Sequence, residues 1–269
     1  MRVEGSEVFR ATRTPEGPAT AHFRRDGDQI DVHVWGPGGE WILGWAPRLV
    51  GIDDLPQRFQ PKHAILRDLH LRHPGMRFGA TGAVVEAAIA SVLEQKVTGR
   101  EAWRAYRQLI QRYSEPAPGP YSLMLPPDPA VLAALGYYDL HPFGVEKRRA
   151  GTLLRVCEMA IRLNALASRP ADEVGTVMGR IPGIGPWTVA EVGRVALGDI
   201  DAVSVGDIHL PHLVSWNLAG EPRGSDARML ELLEPYRGQR ARALRLLELS
   251  GNWAPRRGPR YNPIPIAKL

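Results

Sequence analysis

The chain has 269 residues, of which 44% are hydrophobic and 23% are charged, so it can form one large domain or two to three small ones. No apolar run approaches the roughly 20 residues that a membrane-spanning helix needs, and residues 1–17 lack the apolar segment of a secretory signal. We therefore expect a soluble, cytoplasmic protein. The net charge of +5 suits a polyanionic partner without requiring one. The lone Cys157 excludes an internal disulfide and a cysteine-ligated zinc or iron–sulfur site, and it is expected to be a small buried hydrophobe in a helix.

The first 75 or so residues have the alternation of strands. Residues 19–25 and 29–36 flank the turn sequence Asp26-Gly27-Asp28, and apolar residues alternate with polar ones in the second segment. A further turn is predicted at 36–39, where three glycines and a proline follow each other. We predict a small antiparallel sheet domain over residues 1–78, with a helix or two packed on it.

From about Gly79 the hydrophobic period becomes helical, which predicts an all-helical domain over residues 79–269. The predicted helices cover residues 84–95, 100–113, 129–135, 145–164, 170–180, 187–197, 208–218, 226–234 and 239–250. Ser225 is the expected N-cap of the penultimate helix and Gly251 the residue that ends the last one. The Pro-rich stretch 116–129 is interpreted as an ordered loop, and the tail 256–269 is expected to be extended. The aromatic residues Trp103, Tyr137 and Tyr138 are interpreted as core residues rather than pocket walls.

Residues 181–188 lie between two helical patterns and contain Gly183 and Gly185 on either side of Ile184. Two glycines in this spacing favour a tight hairpin between helices, because glycine tolerates positive φ and lets another backbone come close. The free N–H groups at the start of the second helix suit a DNA phosphate. A plain glycine-rich turn between helices explains the same residues.

Asp207 follows a short apolar run, 202–205, and precedes a new helical pattern. A carboxylate at a helix start accepts hydrogen bonds from unpaired N–H groups, so an Asp in this place is most often just an N-cap. Taken together with the hairpin 20 residues upstream, it becomes a candidate catalytic residue.

Residues 182–188 followed by 203–207 resemble the signature of helix-hairpin-helix DNA glycosylases, and more narrowly the bacterial 3-methyladenine DNA glycosylase II branch. Weaker matches at 72–77, 92–97 and 144–150 fall in the right order. The resemblance implies an α+β protein: the sheet domain, then a two-lobed all-helical body with its hairpin at 181–188. It also implies a monofunctional enzyme of bacterial base excision repair that acts on nucleoid DNA, and nothing in the sequence suggests more than a monomer. Such an enzyme flips alkylated bases, such as 3-methyladenine, out of double-stranded DNA and excises them by hydrolysis.

The resemblance assigns Asp207 as the catalytic carboxylate, which stabilises the sugar cation of the transition state. Trp187 stands where bifunctional members carry the lysine that forms a Schiff base, so that chemistry is not available here. Its indole suits stacking on a flipped cationic purine, although simple packing between helices is the alternative. Glu191 stands near the place of an aromatic residue in the branch, so Trp187 and Glu191 together are the expected walls of the base pocket.

The expected DNA-binding residues come from the hairpin and from the loop after the first helix of the body. They are Gly183, Ile184, Gly185, Thr188, Gln95 and Lys96. Lys96 stands where the branch has an apolar side chain that fills the gap left by the flipped base. Either Gln95 or Val97 fills that gap instead, or Lys96 itself contacts a phosphate.

No metal-ligand set and no organic cofactor are expected, and the histidine pairs at 70/73 and 209/212 are interpreted as non-ligands. The resemblance implies only a monovalent cation that bridges hairpin carbonyls and a phosphate. Three other functions fit the residues: a glycosylase for oxidised or deaminated bases, a non-catalytic helix-hairpin-helix DNA-binding protein, and an unrelated helical protein with a chance turn.

Overall fold

The computed structural model describes residues 1–255, and the protein is α+β over this range, with one antiparallel sheet followed by helices. The tail 256–269, for which an extended form is expected, lies outside the described residues and includes a cluster of arginines. Within residues 1–255, no helix is both long and apolar enough to cross a membrane.

The N-terminal sheet has four antiparallel strands in the order β1-β2-β3-β4. The strands are β1 (Arg2–Glu4), β2 (Glu7–Thr14), β3 (Gly17–Asp26) and β4 (Gln29–Trp35). The predicted turn between β3 and β4 is confirmed: Asp26 pairs with Gln29, and Gly27 has a φ of +60°. The apolar run after residue 39 is a helix, whose Ile42 and Ala46 pack on one face of the sheet.

Thirteen α-helices follow within the described residues. They are α1 (Gly39–Leu49), α2 (Ala64–Arg72), α3 (Val84–Glu94), α4 (Gly99–Tyr113), α5 (Pro129–Ala133), α6 (Tyr137–Leu140), α7 (Lys147–Glu158), α8 (Ala160–Asn164), α9 (Ala171–Met178), α10 (Pro186–Val192), α11 (Leu210–Ala219), α12 (Asp226–Leu233) and α13 (Arg240–Ser250). A π-helical turn, Gly193–Leu197, continues α10. From α3 onward, the helical period of the sequence predicted all of these helices except the short α6, with residues 145–164 forming α7 and α8. The helices α1 and α2 correspond only to the expectation of a helix or two packed on the sheet, and α2 does not pack there.

Two hydrophobic cores divide the helical body into two lobes. The first lobe is built on α3 to α10, and its core includes Val92, Leu153 and Ile184. The second lobe is built on α11 to α13 together with α2, whose Leu66 and Leu69 lie in the same core. Residues 56–72 thus pack with the C-terminal helices rather than with the sheet. The division of the chain at residue 78 stays a prediction.

A buried ion pair joins the segment after the sheet to the last helix. Arg242 of α13 is fully buried and donates to the carboxylate of Asp54 and to the carbonyl of Met76. The same carboxylate accepts from the backbone N–H of Phe78 at 2.8 Å. Breaking these contacts is costly, because it would leave a buried charge unpaired. They therefore hold the segment between the sheet and the second lobe against α13.

Of the predictions about helix caps and buried side chains, those for the caps and for Cys157 are confirmed, and two of those for aromatic residues are wrong. Ser225 accepts from the N–H of Arg228, and Gly251 ends α13 with a φ of +65°, so both predicted caps are confirmed. Cys157 is buried as expected, and burial raises the pKa of its thiol to about 12. The interpretation of Trp103 and Tyr138 as core residues is wrong, since their side chains are 64% and 84% exposed. Each stands on the outer face of a helix whose small or aliphatic residues already fill the core.

Candidate active site

Asp207 ends the loop that leads into α11, and its carboxylate is held from two sides. Oδ1 accepts from the backbone N–H groups of His209, at 2.7 Å, and Leu210, at 2.9 Å. Oδ2 accepts from the indole Nε1 of Trp187 at 3.0 Å. The first pair of contacts is that of a helix cap, whereas the third crosses from the second lobe to the first. A side chain that served only as a cap would not need the contact with Trp187.

Trp187 belongs to α10, the second helix of the hairpin, and lies directly across from Asp207. Its side chain is only partly buried, so the ring is not enclosed in the core of the first lobe. An indole has a single donor, and here that donor is used on the carboxylate. The alternative that Trp187 only packs between helices leaves this hydrogen bond unexplained.

The two glycines of the hairpin differ in whether the fold requires a glycine at their position. Gly183 has a φ of +98°, and a Cβ there would stand 1.9 Å from the hydroxyl of Thr152, so the fold itself requires glycine. Gly185 has an extended φ of −111°, and a Cβ there would meet no atom within 4 Å. Nothing in the free protein requires glycine at 185. The open space beside it is available to a ligand that approaches the backbone.

The hairpin is held in place by buried side chains, while some of its backbone N–H groups have no acceptor within the described residues. The side chain of Ile184 is buried in the first-lobe core, and that of Thr188 is 2% exposed. These two predicted DNA-binding residues can therefore present only backbone to the solvent side. Among residues 1–255, no hydrogen-bond acceptor is recorded for the N–H groups of Gly185 and Trp187.

The loop after α3 is tied to the hairpin through Gln95. Its amide Nε2 donates to the carbonyl of Gly183, at 3.0 Å, and to the hydroxyl of Thr188, at 2.9 Å. The buried Arg149 of α7 donates to the carbonyl of Leu93 at 2.8 Å and so supports the end of α3. The next residue, Lys96, is exposed and has a φ of +55°, a conformation that residues with a side chain rarely adopt.

A second polar contact between the lobes lies one helical turn from Trp187. Glu191 accepts from the hydroxyl of Ser204, at 2.5 Å, and from the guanidinium of Arg194, at 2.6 Å. Arg194 in turn lies 3.6 Å from Glu248 of α13. Ser204 is buried and precedes Asp207 by only three residues, so these contacts bear directly on the loop that carries Asp207. We use the term inter-lobe seam for the six residues that make these contacts: Trp187, Glu191, Arg194, Ser204, Asp207 and Glu248.

The inter-lobe seam contains the carboxylates of Glu191, Asp207 and Glu248. A further carboxylate, that of Glu94 at the end of α3, lies near enough to Glu191 for their charges to interact. Desolvation of the Glu94 carboxyl, and then the negative charge of Glu191, raise its pKa above the ordinary value, while Arg194 acts in the opposite direction. A cationic ligand in this region would meet favourable charge.

Sequence reasoning found Asp207, Trp187 and Glu191 but missed the side chains that hold them. The role of Ser204 carries no signal in the sequence, since its contact with Glu191 depends on the approach of two lobes. The pair Glu191–Arg194 has i,i+3 spacing on one helical segment, which is the signal that could have found it. The pair Gln95–Thr188 is separated by 93 residues, and its contact is equally invisible in the sequence. Within residues 1–255, no group of three or more His, Cys, Asp or Glu side chains is arranged to hold a metal ion.

The chain is similar in sequence and in fold to known DNA glycosylases. No family model matches the sequence. A Bacillus subtilis (strain 168) protein that carries the name DNA-3-methyladenine glycosylase YfjP is 23% identical over 171 residues, which are 61% of this chain and 58% of that protein. The chain therefore matches less than two thirds of this relative's length.

Among solved structures, the 3-methyladenine DNA-glycosylase from Archaeoglobus fulgidus superposes with a TM-score of 0.78 at 19% identity, over 93% of this chain and 89% of that one. The 8-oxoguanine glycosylase/lyase of Clostridium acetobutylicum, in complex with double-stranded DNA, gives a TM-score of 0.68 at 12% identity, over 89% and 86%. At these identities the likeness concerns the fold.

The fold over residues 1–255 is that of the solved DNA glycosylases, so the α+β fold implied by the resemblance of residues 182–188 and 203–207 is confirmed. In sequence, the chain is similar to proteins named as DNA-3-methyladenine glycosylase and as the DNA repair enzyme AlkA, as the resemblance to that branch predicts.

Proposed function

We propose that this protein is a monofunctional DNA glycosylase that excises alkylated bases from double-stranded DNA by hydrolysis of the N-glycosidic bond. The observation that carries the proposal is the contact between Trp187 Nε1 and Asp207 Oδ2. It places a fixed carboxylate beside a partly exposed aromatic ring, at a seam between two lobes and close to the open space beside Gly185.

In the proposed reaction, the bond between the sugar C1′ and the base nitrogen breaks, and its electron pair leaves with the base. The sugar becomes an oxocarbenium-like cation, which the Asp207 carboxylate stabilises through space. A water molecule adds to C1′ and gives up one proton, for which Asp207 is the nearest proposed acceptor. The product is an abasic site on an unbroken strand.

Trp187 has two proposed tasks. Its N–H fixes the orientation of the Asp207 carboxylate, and its ring stacks on the flipped base. A base that carries positive charge after alkylation fits better than a neutral one, because the ring face attracts cations and because Glu191 and Glu94 lie nearby. Since Trp187 offers no amine, this position cannot form a Schiff base with the sugar.

Glu191 is proposed as a positioning residue as well as a wall of the pocket. Its carboxylate is engaged by Ser204 and Arg194 and is therefore not free to bind a base directly. Its effect on the reaction would come through the loop that it holds, which ends in Asp207.

The DNA-binding part of the proposal rests on the hairpin and on Lys96. The backbone around Gly185 would receive a phosphate, and a monovalent cation on hairpin carbonyls belongs to the same proposal. The Gly183 carbonyl accepts from Gln95 and has a second lone pair left for such an ion. Gln95 is already bonded to the hairpin, so Lys96 is the better candidate to enter the gap left by the flipped base. No organic cofactor is invoked, and action as a monomer on DNA in the bacterial cytoplasm is part of the proposal.

The test is incubation of the protein with matched duplexes that each carry one methylated, deaminated or oxidised base, followed by alkali. Abasic sites should appear with the methylated purines, and strands should break only after alkali is added. Borohydride should trap no covalent adduct. Preferred cleavage of an oxidised base, or strand breakage by the protein alone, would replace this proposal with the corresponding alternative. DNA binding without any excision would reduce the protein to a DNA-binding role.

A further inference from the structure

The outer face of α4 carries an uncompensated positive stripe. Arg100, Arg104 and Arg107 are all exposed and recur with spacings of four and three residues, which places them on one side of the helix. The opposite side, with Ala102, is buried in the first lobe. With Trp103 between them, these three arginines form what we call the α4 basic face.

The arginines of this face have no partner among residues 1–255: none of the three makes an ion pair or a side-chain hydrogen bond there. Arginines of the sheet behave differently, since Arg10 pairs with Glu86 and Arg24 with Asp31.

The one acid of α4, Glu101, does not compensate the α4 basic face. Its carboxylate accepts from the backbone N–H of Thr98, at 2.9 Å, and from its hydroxyl, at 2.8 Å, in a capping box. The charge of Glu101 is thus committed to the start of the helix.

Trp103 is the second unusual feature. Its side chain is 64% exposed, and no aromatic ring or cation of residues 1–255 is recorded in contact with it. The tryptophan and the three arginines line an open groove of about 550 Å³ together with Gly99, Gln108 and Gln111. Arginines interleaved with an exposed aromatic ring are typical of a surface that binds a nucleic-acid backbone, in which guanidinium groups contact phosphates and the ring packs on a sugar.

The position of the α4 basic face in the chain favours DNA as its partner. α4 begins four residues after Gln95, whose side chain holds the hairpin, and three residues after the exposed Lys96. The α4 basic face therefore follows, within a few residues of the chain, the loop proposed to meet DNA at the lesion. From Arg100 to Arg107 the helix rises by about 10.5 Å, which corresponds to roughly three phosphates of one strand.

We propose that the α4 basic face binds the backbone of the same DNA duplex beyond the lesion, as a second contact surface separate from the hairpin. The choice of DNA as the partner rests on the proposed function, whereas binding by the α4 basic face does not depend on the excision reaction. The face would extend the footprint and strengthen binding to any sequence, and it would not take part in the excision step.

The experiment compares the double variant Arg104→Gln/Arg107→Gln with the control Arg24→Gln/Arg25→Gln, which removes the same charge from the tip of the sheet. Affinity is measured for a 30-base-pair duplex that carries an uncleavable abasic analogue, over a series of salt concentrations. Removing two phosphate contacts should lower the dependence of log affinity on log salt by about 1.8 and weaken binding about tenfold at moderate salt. Trp103→Ala should weaken it about fivefold.

Excision at saturating enzyme should be unchanged in all these variants, which separates this inference from the proposed function. If the wild-type protein binds DNA but excises nothing, a reduced salt slope in the double variant still supports the α4 basic face. Identical slopes in the double variant and the control would overturn the inference while leaving the glycosylase proposal intact. Self-association that Trp103→Ala abolishes, with DNA affinity unaltered, would assign the face to a second copy of the chain and equally overturn it.

Discussion

The inter-lobe seam and the α4 basic face use polar side chains in opposite ways. In the seam, Asp207 and Glu191 have hydrogen-bond partners on both lobes. On the α4 basic face, Arg104 and Arg107 have no partner among residues 1–255. Partnered groups are held in one geometry before a substrate arrives, which is what a reaction requires. Unpartnered charges retain their attraction for a polyanion, which is what binding requires. Substitutions in the first region should therefore change rates, and those in the second should change affinities.

Among the residues around Asp207, the largest effect that sharpens this contrast is expected at Trp187. Trp187→Phe keeps an aromatic ring but removes the N–H that orients Asp207. A hydrogen bond to a charged group is worth about 1.5–3 kcal/mol, so single-turnover excision should fall about ten- to a hundredfold. Binding to abasic-analogue DNA should change little. Trp216→Phe is the matched control, since its N–H donates at 3.3 Å to Asn252 in the second lobe. Equal, small effects of both substitutions would mean that the Trp187 contact has no catalytic value.

A smaller effect, this time on affinity, is expected at Gly185. Gly185→Ala adds a Cβ into open space, so the fold should be kept, while the approach of a phosphate is hindered. Affinity for all duplexes should fall about threefold, and Gly185→Asp should lower it about tenfold through like-charge repulsion. For the alanine variant the salt slope should stay at the wild-type value, because the lost contacts are amides rather than cations. Gly44→Ala, equally unhindered but in α1, is the control. Unaltered binding by both Gly185 variants would remove the hairpin from the DNA interface.

The smallest effect is expected at Ser204. Ser204→Ala removes one of the two contacts that hold Glu191, and excision should slow about threefold to fivefold with unchanged DNA affinity. Ser204→Thr keeps the hydroxyl and should restore most of the rate. Ser225→Ala deletes a hydroxyl that caps α12 and is the control for stability alone. A loss of thermal stability in Ser204→Ala with a normal excision rate would give the Glu191 contacts a purely structural role.

The sequence predicted what depends on neighbours along the chain. Helix periods, the Ser225 cap and the turn after Asp26 are local, and so is the hairpin with its two glycines. The division of labour between those glycines was not predictable, because Gly183 is required by Thr152, which lies 31 residues earlier. Composition alone treats both positions alike.

What the sequence could not predict depends on contacts between distant segments. Trp187 was expected to stack on a base, yet its hydrogen bond to Asp207 appears only when the lobes meet. Trp103 was assigned to the core because tryptophan is usually well buried, whereas Ala102 and Leu109 already fill the inner face of α4. In both cases the sequence showed a tryptophan worth attention, but it did not show what that side chain contacts in the folded protein.

The measurement that tests the account most directly compares Asp207→Asn with Asp226→Asn. Both substitutions remove one carboxylate charge from the same neighbourhood, since Asp226 accepts from the N–H of Gly206 at 3.1 Å, but only Asp207 contacts Trp187. Asparagine retains the ability to cap α11, so folding should change little. In single-turnover assays on a duplex with one methylated purine, Asp207→Asn should lower excision by at least about 10²–10³, with binding to abasic-analogue DNA within a few-fold of wild type. Asp226→Asn should stay within a few-fold in both assays. Near wild-type excision by Asp207→Asn would contradict the account and leave Asp207 as the cap of a helix.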